Sequence, residues 1–229
     1  MHWLLLLTLT ADPQPVQFRP ALDVPISLVA GGGWLALDLA APSLARTSCP
    51  CARTDVPSFD RFAIDAHFQA GGSLASGALV LTLGGSVLAL ALGEPDGAAA
   101  ANDLGIAIEA TTLAGLATEL AKIGFSRPYP YMFRSDITPS QNASGINYAS
   151  FWSGHTAVGM AAAVATARLL ELRHAPRALR LAMWIAGPLL AVAAGALEIS
   201  AANHFPSDVL VGGLAGAGVG LGVVELHTL

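Results

Sequence analysis

Charge is scarce in this chain. Only 12% of its 229 residues are charged and 7% are aromatic, against roughly 25% charged in ordinary soluble domains. That scarcity argues against a conventional soluble fold. There is no basic stripe, and the formal net charge is −5, so a nucleic-acid partner is not expected. No alternation of apolar and polar residues is long enough to read as strands. Cysteine is also nearly absent. Cys49 and Cys51 sit one residue apart, too few for a structural zinc site, and a bridge between such close neighbours is expected to be strained. Ordinary loop cysteines are the favoured reading, with a redox or pairing role as the alternative.

What the chain has is apolar length. It is 54% hydrophobic with 24 glycines. Six apolar stretches lie at about 25–42, 70–93, 104–123, 151–171, 178–198 and 206–227. Most approach the roughly 20 residues that cross a bilayer. The first, broken by Gly31-Gly32-Gly33, is the weakest. The expected fold class is all-α, an integral membrane bundle of about six helices, formed by residues 25–229 as one domain after an N-terminal segment 1–24.

Arg168, Arg173, Arg177 and Arg180 flank the fourth-to-fifth connection, which therefore prefers the cytoplasm. The loops at 124–150 and 199–205 then face outward. One observation pulls the other way. Met1 to Ala11 resembles the apolar part of a signal peptide, without a basic n-region. A cleaved signal would put the mature N-terminus outside, against a six-span count.

The last stretch carries Gly212, Gly216 and Gly220, a small-residue stripe suited to close helix packing. Gly216-x-Gly218-x-Gly220 is a poor dinucleotide fingerprint, because no strand precedes it. Tyr129, Tyr131, Tyr148, Phe133, Phe151 and Trp152 fall in or beside the 124–150 loop. They suit anchoring at the membrane interface, or lining the way in for a lipid tail. Glu109 lies inside the third apolar stretch, where a carboxylate is costly and is either functional or protonated and bonded within the bundle. Asn142-Ala143-Ser144 matches a glycosylation sequon and carries little weight.

Two histidine motifs hold the chemistry. His204 and Asp208 are four residues apart, so one helical turn can face both the same way. A carboxylate on one ring nitrogen leaves the other as a nucleophile. Pro206 suits the first turn of a helix, whose amides favour an anion. Taken alone, the pair reads equally as a self-satisfied helix end. Ser153-Gly154-His155 opens the fourth stretch; Gly154 permits close approach, and His155 can donate a proton, although local capping explains the tripeptide too. Together with Lys122 on the same face, these parts suit a phosphoryl group.

With those residues in view, the chain resembles the type 2 phosphatidic acid phosphatase and vanadium haloperoxidase superfamily. That family carries Lys-x6-Arg-Pro, Pro-Ser-Gly-His and Ser-Arg-x5-His-x3-Asp. Here Lys122 is followed by Tyr129-Pro130, the second motif reads Trp152-Ser153-Gly154-His155, and the third reads Leu197-Glu198, then His204 and Asp208. The resemblance covers roughly residues 70–227, with the motif core in 104–227. It implies a phosphatidic acid phosphatase type 2-like bundle that hydrolyses a phosphate monoester or diphosphate on a lipid, with no metal or cofactor. It also implies His204 as the nucleophile forming a phosphohistidine, Asp208 orienting it, and His155 protonating the leaving group. Lys122, Ser153 and Gly154 would hold phosphate oxygens.

Two departures stand out. Tyr129 and Glu198 occupy both positions where the family has a phosphate-gripping arginine, and a bidentate guanidinium is hard to replace. Arg127, two residues before Tyr129, is the candidate substitute, with Arg134 a second. Glu198 would then pair with an arginine. Arg127 also reads as an interfacial anchor. The alternatives to a phosphatase are a catalytically impaired lipid-binding or scaffold protein, or a phosphotransferase. The expected location is an integral membrane, a bacterial inner membrane with the site toward the periplasm or exterior. The expected partners are a lipid phosphate and membrane lipids; the oligomeric state is left open.

Overall fold

The computed structural model describes residues 16–66 and 70–228. The signal-like stretch Met1 to Ala11 lies outside the described residues. Six long helices stand among the described residues: α1 (Pro20–Leu44), α2 (Ala70–Leu92), α3 (Gly97–Phe125), α5 (Gly154–Leu172), α6 (Arg177–Ser200) and α7 (Pro206–Leu226). The short α4 (Pro139–Asn142) and several 3₁₀ turns lie in the loops. There is no strand among the described residues. Each of the six expected apolar stretches is a helix. Helices close their backbone hydrogen bonds within the segment, which hydrocarbon demands.

Five of them, α1, α2, α3, α6 and α7, are long and apolar enough to cross a membrane. Their outer faces leave Leu28, Leu39, Leu81, Leu189 and Leu214 uncovered, where lipid replaces protein contacts. The chain is an integral membrane protein. Helix α5 differs. It packs against α2, α3, α6 and α7, and Ala161, Ala163, Ala165 and Ala167 on it are fully buried. Small side chains let four neighbours close around one axis, so this helix needs little hydropathy of its own.

The glycine stripe of α7 does what its spacing suggests. A Cβ on Gly212, Gly216 or Gly220 would meet the backbone carbonyl of Ser153, Ala157 or Ala161, at 2.7, 2.1 and 2.6 Å. Hence α7 lies directly on the α5 backbone. Local chemistry sets the helix ends. Asp96 caps α3 by accepting from the amides of Ala98 and Ala99. Pro206 opens α7, and the Asp208 carboxylate accepts the Phe205 amide at 2.8 Å.

At the end formed by the 172–177 connection, Arg173 pairs with Asp103 at 2.8 Å and Arg168 with Glu225 at 2.6 Å. At the other end, residues 45–66 and 126–153 fold over the helix termini. Val56, Ala63, Ile64 and Phe205 form a small core there, with Phe133 and Ile199 packed on it. In the same loop layer Cys49 and Cys51 are joined in a disulfide, contrary to the expectation of ordinary loop cysteines. Their Cα atoms lie 4.4 Å apart, a separation that a bridge accepts.

Replacing Gly216 by Ala is expected to cost about 2 kcal/mol by overpacking. A Cβ added at Gly218 would meet nothing within 4 Å, so Gly218→Ala should be neutral or gain up to about 1 kcal/mol of helix propensity. Thermal unfolding in detergent measures both; equal midpoints for the two variants would contradict the close approach of α7 to α5.

Candidate active site

The site is assembled where the C-terminal end of α3 meets the N-terminal ends of α5 and α7. His204 ends the short α6–α7 connection and is buried. Its Nδ1 lies 2.7 Å from the carbonyl oxygen of Ser150. A carbonyl only accepts, so the proton belongs on Nδ1, and Nε2 keeps its lone pair; the tautomer follows from this partner. Asp208 does not take that hydrogen bond, since its Oδ2 is 3.8 Å from Nδ1. Instead the fully buried Asp208 carboxylate accepts from the Ser150 hydroxyl, the Phe205 amide and the Arg127 guanidinium. Asp208 therefore reaches His204 through Ser150.

Arg127 is engaged in that clasp through both terminal nitrogens. Its Nη2 donates to Asp60 at 2.9 Å and its Nη1 to Ser207 Oγ at 2.7 Å and to Asp208. The guanidinium also sits 4.0 Å from the Phe205 ring centre, a cation–π distance. Asp60 closes the loop by accepting from the Ser207 amide at 3.0 Å and its hydroxyl at 2.6 Å. Arg127, the expected phosphate clamp, thus has Nη1 and Nη2 bonded to two buried carboxylates. Arg134 is spent as well, donating from Nε to the Ile64 carbonyl at 2.8 Å and also to that of Ala66.

His155 stands at the start of α5, about 41% exposed at its side chain, with Nδ1 3.3 Å from Glu198 Oε1. Glu198 is buried, and its other oxygen accepts from Asn203 at 2.7 Å and from Ser73 at 3.3 Å. Glu198 Oε1 therefore faces His155 rather than an arginine, without a hydrogen bond of its own. Lys122 lies beside Gly154: a Cβ there would be 3.8 Å from Nζ. The ammonium is already bonded to the buried Glu119 at 2.8 Å. Ser153 is buried, and its amide donates to the Asp208 carbonyl at 3.1 Å; its hydroxyl accepts from Thr156 at 3.0 Å. It serves the junction of α5 and α7, so the phosphate contact expected of it has no open donor amide. Tyr129 stacks on Tyr131 and meets His204 edge-on, with ring centres 6.4 Å apart.

A cavity of about 580 Å³ opens between α1, α2, α3 and α5. Lys122, Glu119, Gly154 and His155 line its polar end, and Trp34, Leu35, Val80, Leu81 and Val158 its apolar wall. Neither His204 nor Arg127 lines it. Around the two histidines stand four carboxylates, Asp60, Glu119, Glu198 and Asp208, against two fixed cations, Lys122 and Arg127. That balance leaves little unspent positive charge for an anion.

A model of the PAP2 superfamily matches residues 103–228, more than half of the chain. The chain belongs to the PAP2 superfamily. The matched span contains Lys122, the Ser153-Gly154-His155 tripeptide and the His204–Asp208 pair. No curated protein and no solved structure matches the chain significantly.

Several residues of this candidate site had no mark in the sequence. Asp60 sits in a loop without a motif, 67 residues from its partner Arg127. Ser150, Ser73 and Asn203 are ordinary polar residues until the fold collects them. Glu119 was findable, since it stands three residues before Lys122, a spacing at which helical charges meet.

Replacing Arg127 by Ala leaves Asp60 and Asp208 buried without their cation, a loss expected to cost about 3 kcal/mol of stability. A matched fall in thermal midpoint and activity is the expected result. A variant with wild-type stability but impaired substrate binding would instead return Arg127 to the phosphate site.

Proposed function

We propose that this chain is a membrane hydrolase of the phosphatidic acid phosphatase type 2 kind, acting on a phosphate monoester or diphosphate carried by a lipid. The observation that carries the reading is the preparation of His204: its Nδ1 proton is held by the Ser150 carbonyl, which leaves Nε2 free to attack phosphorus. In the reaction the Nε2–phosphorus bond forms as the phosphorus–oxygen bond to the lipid breaks, and His155 gives its proton to the leaving oxygen. Water then attacks the phosphohistidine with His155 as base, releasing phosphate and restoring His204. Asp208 keeps Ser150 in place, and Lys122 with the amides at the start of α5 receives phosphate oxygens.

The cavity between α1, α2, α3 and α5 supports a lipid substrate, since an apolar wall leads to His155 and Lys122. The side of the membrane is also part of the proposal. Arg173, Arg177 and Arg180 around the α5–α6 turn favour the cytoplasm. The site then faces the exterior, where the Cys49–Cys51 disulfide suits an oxidising compartment.

One observation favours a second reading, a catalytically impaired member that binds lipid. Glu198 stands against His155 where the family has an arginine, and Glu119 neutralises Lys122. Trapping with ³²P-labelled phosphatidate and a polyprenyl diphosphate separates the two. The hydrolase is expected to form an acid-labile protein adduct and release phosphate, with His204→Ala slowing release on the order of 10³-fold or more. No adduct, and a rate equal in wild type and His204→Ala, would establish the impaired reading.

A further inference from the structure

Far from the histidine motifs, three buried ionisable side chains converge. Asp23 comes from the first turn of α1, Glu109 from α3 and His227 from the residue that ends α7. They are 1%, 6% and 4% exposed. Glu109 precedes Lys122 on α3 by a span of about 20 Å along the axis. His227 lies at the opposite end of α7 from Asp208. This cluster is therefore separate from the candidate active site.

His227 Nδ1 lies 2.8 Å from the Val223 carbonyl, so the proton sits on Nδ1 and the Nε2 lone pair points inward. It faces Asp23 Oδ2 at 3.2 Å and Glu109 Oε2 at 3.4 Å. With the ring in this tautomer three electron-pair donors meet, His227 Nε2 and Asp23 Oδ2 also lying within hydrogen-bond distance. Glu109 Oε2 has no hydrogen-bond partner although it is shielded from solvent, and such an oxygen is costly in an apolar bundle. The nearest cation, Arg19, keeps its Nε 4.0 Å from Asp23, and its side chain is 55% exposed.

We propose that Asp23, Glu109 and His227 form a structural site for a first-row divalent cation, with Zn²⁺ the best fit. The three ligand atoms lie within 4.8 Å of one another. Donors ~2.0–2.2 Å from a tetrahedral zinc stand roughly 3.3–3.6 Å apart, close to the two nitrogen–oxygen separations here. One imidazole with two carboxylates suits zinc better than the hard cations, which prefer all-oxygen sites. The Val223 carbonyl on the far ring nitrogen, and the Arg19 amide on Asp23, supply the outer bonds that orient metal ligands. A cation here would tie the start of α1 and the end of α7 to the middle of α3.

The test uses the full chain, purified in detergent without chelator and with any affinity tag removed. Elemental analysis is expected to find about one zinc per chain. After stripping with chelator, adding Zn²⁺ should raise the thermal midpoint by several degrees. Asp23→Asn, Glu109→Gln and His227→Gln should each weaken Zn²⁺ binding at least about tenfold and abolish the shift. X-ray absorption at the zinc edge of the wild type should show one imidazole among oxygen ligands, a readout that does not depend on any variant folding. No stoichiometric metal and an unmoved midpoint would overturn the site in favour of shared protons. Zinc without an imidazole ligand, or binding equal in wild type and folded variants, would overturn it in favour of adventitious binding.

Discussion

A carboxylate removed from water must collect donors, and the Asp208 carboxylate, fully buried at the first turn of α7, collects Arg127, Ser150 and the Phe205 amide. Much of the site follows from that demand. Arg127 brings Asp60 and the 45–66 loop against the start of α7. Ser150, held by its hydroxyl, presents its carbonyl to His204. The Asp208 carbonyl takes the Ser153 amide and so joins the openings of α5 and α7. That junction continues down the glycine stripe, where the α7 backbone rests on α5. Close helix packing and the orientation of the candidate nucleophile are therefore one structural fact seen at two depths.

The electrostatics around this junction set the chain apart from the pattern it resembles. Glu198 stands where the family has an arginine and faces His155. Glu119 holds Lys122. Lys122 and Arg127 each already have carboxylate partners and His155 has one beside it, so an anionic substrate must compete for them. That competition is the physical content of the question between a working hydrolase and a lipid-binding relative. The same economy governs the opposite end of the bundle, where Asp23, Glu109 and His227 converge and Arg19 keeps its Nε 4.0 Å from Asp23.

How much was legible in the sequence differs by level. The six apolar stretches became the six long helices, because bilayer thickness and backbone hydrogen bonding leave a long apolar run one outcome. The motif spacing led to the superfamily that the match over residues 103–228 bears out. Spacing did not say how the parts engage one another. Arg127 looked free to replace a missing phosphate clamp, yet Asp60, 67 residues earlier, engages it. Glu198 looked in need of an arginine and found a histidine. Cys49 and Cys51 read first as ordinary loop cysteines, with pairing the alternative, and are bonded.

The sequence by itself determined that the chain is helical and membrane-embedded, which residues carry titratable chemistry, and the order in which they occur. These depend on local composition and periodicity, and are complete within a window of a few turns. Only the tertiary structure decided which carboxylate neutralises which cation, which atom receives the His204 proton, and that Asp23, Glu109 and His227 share one buried point. Those outcomes depend on contacts between residues as far as 204 positions apart, and a buried charge selects its partner by distance in space, a quantity that linear spacing does not contain.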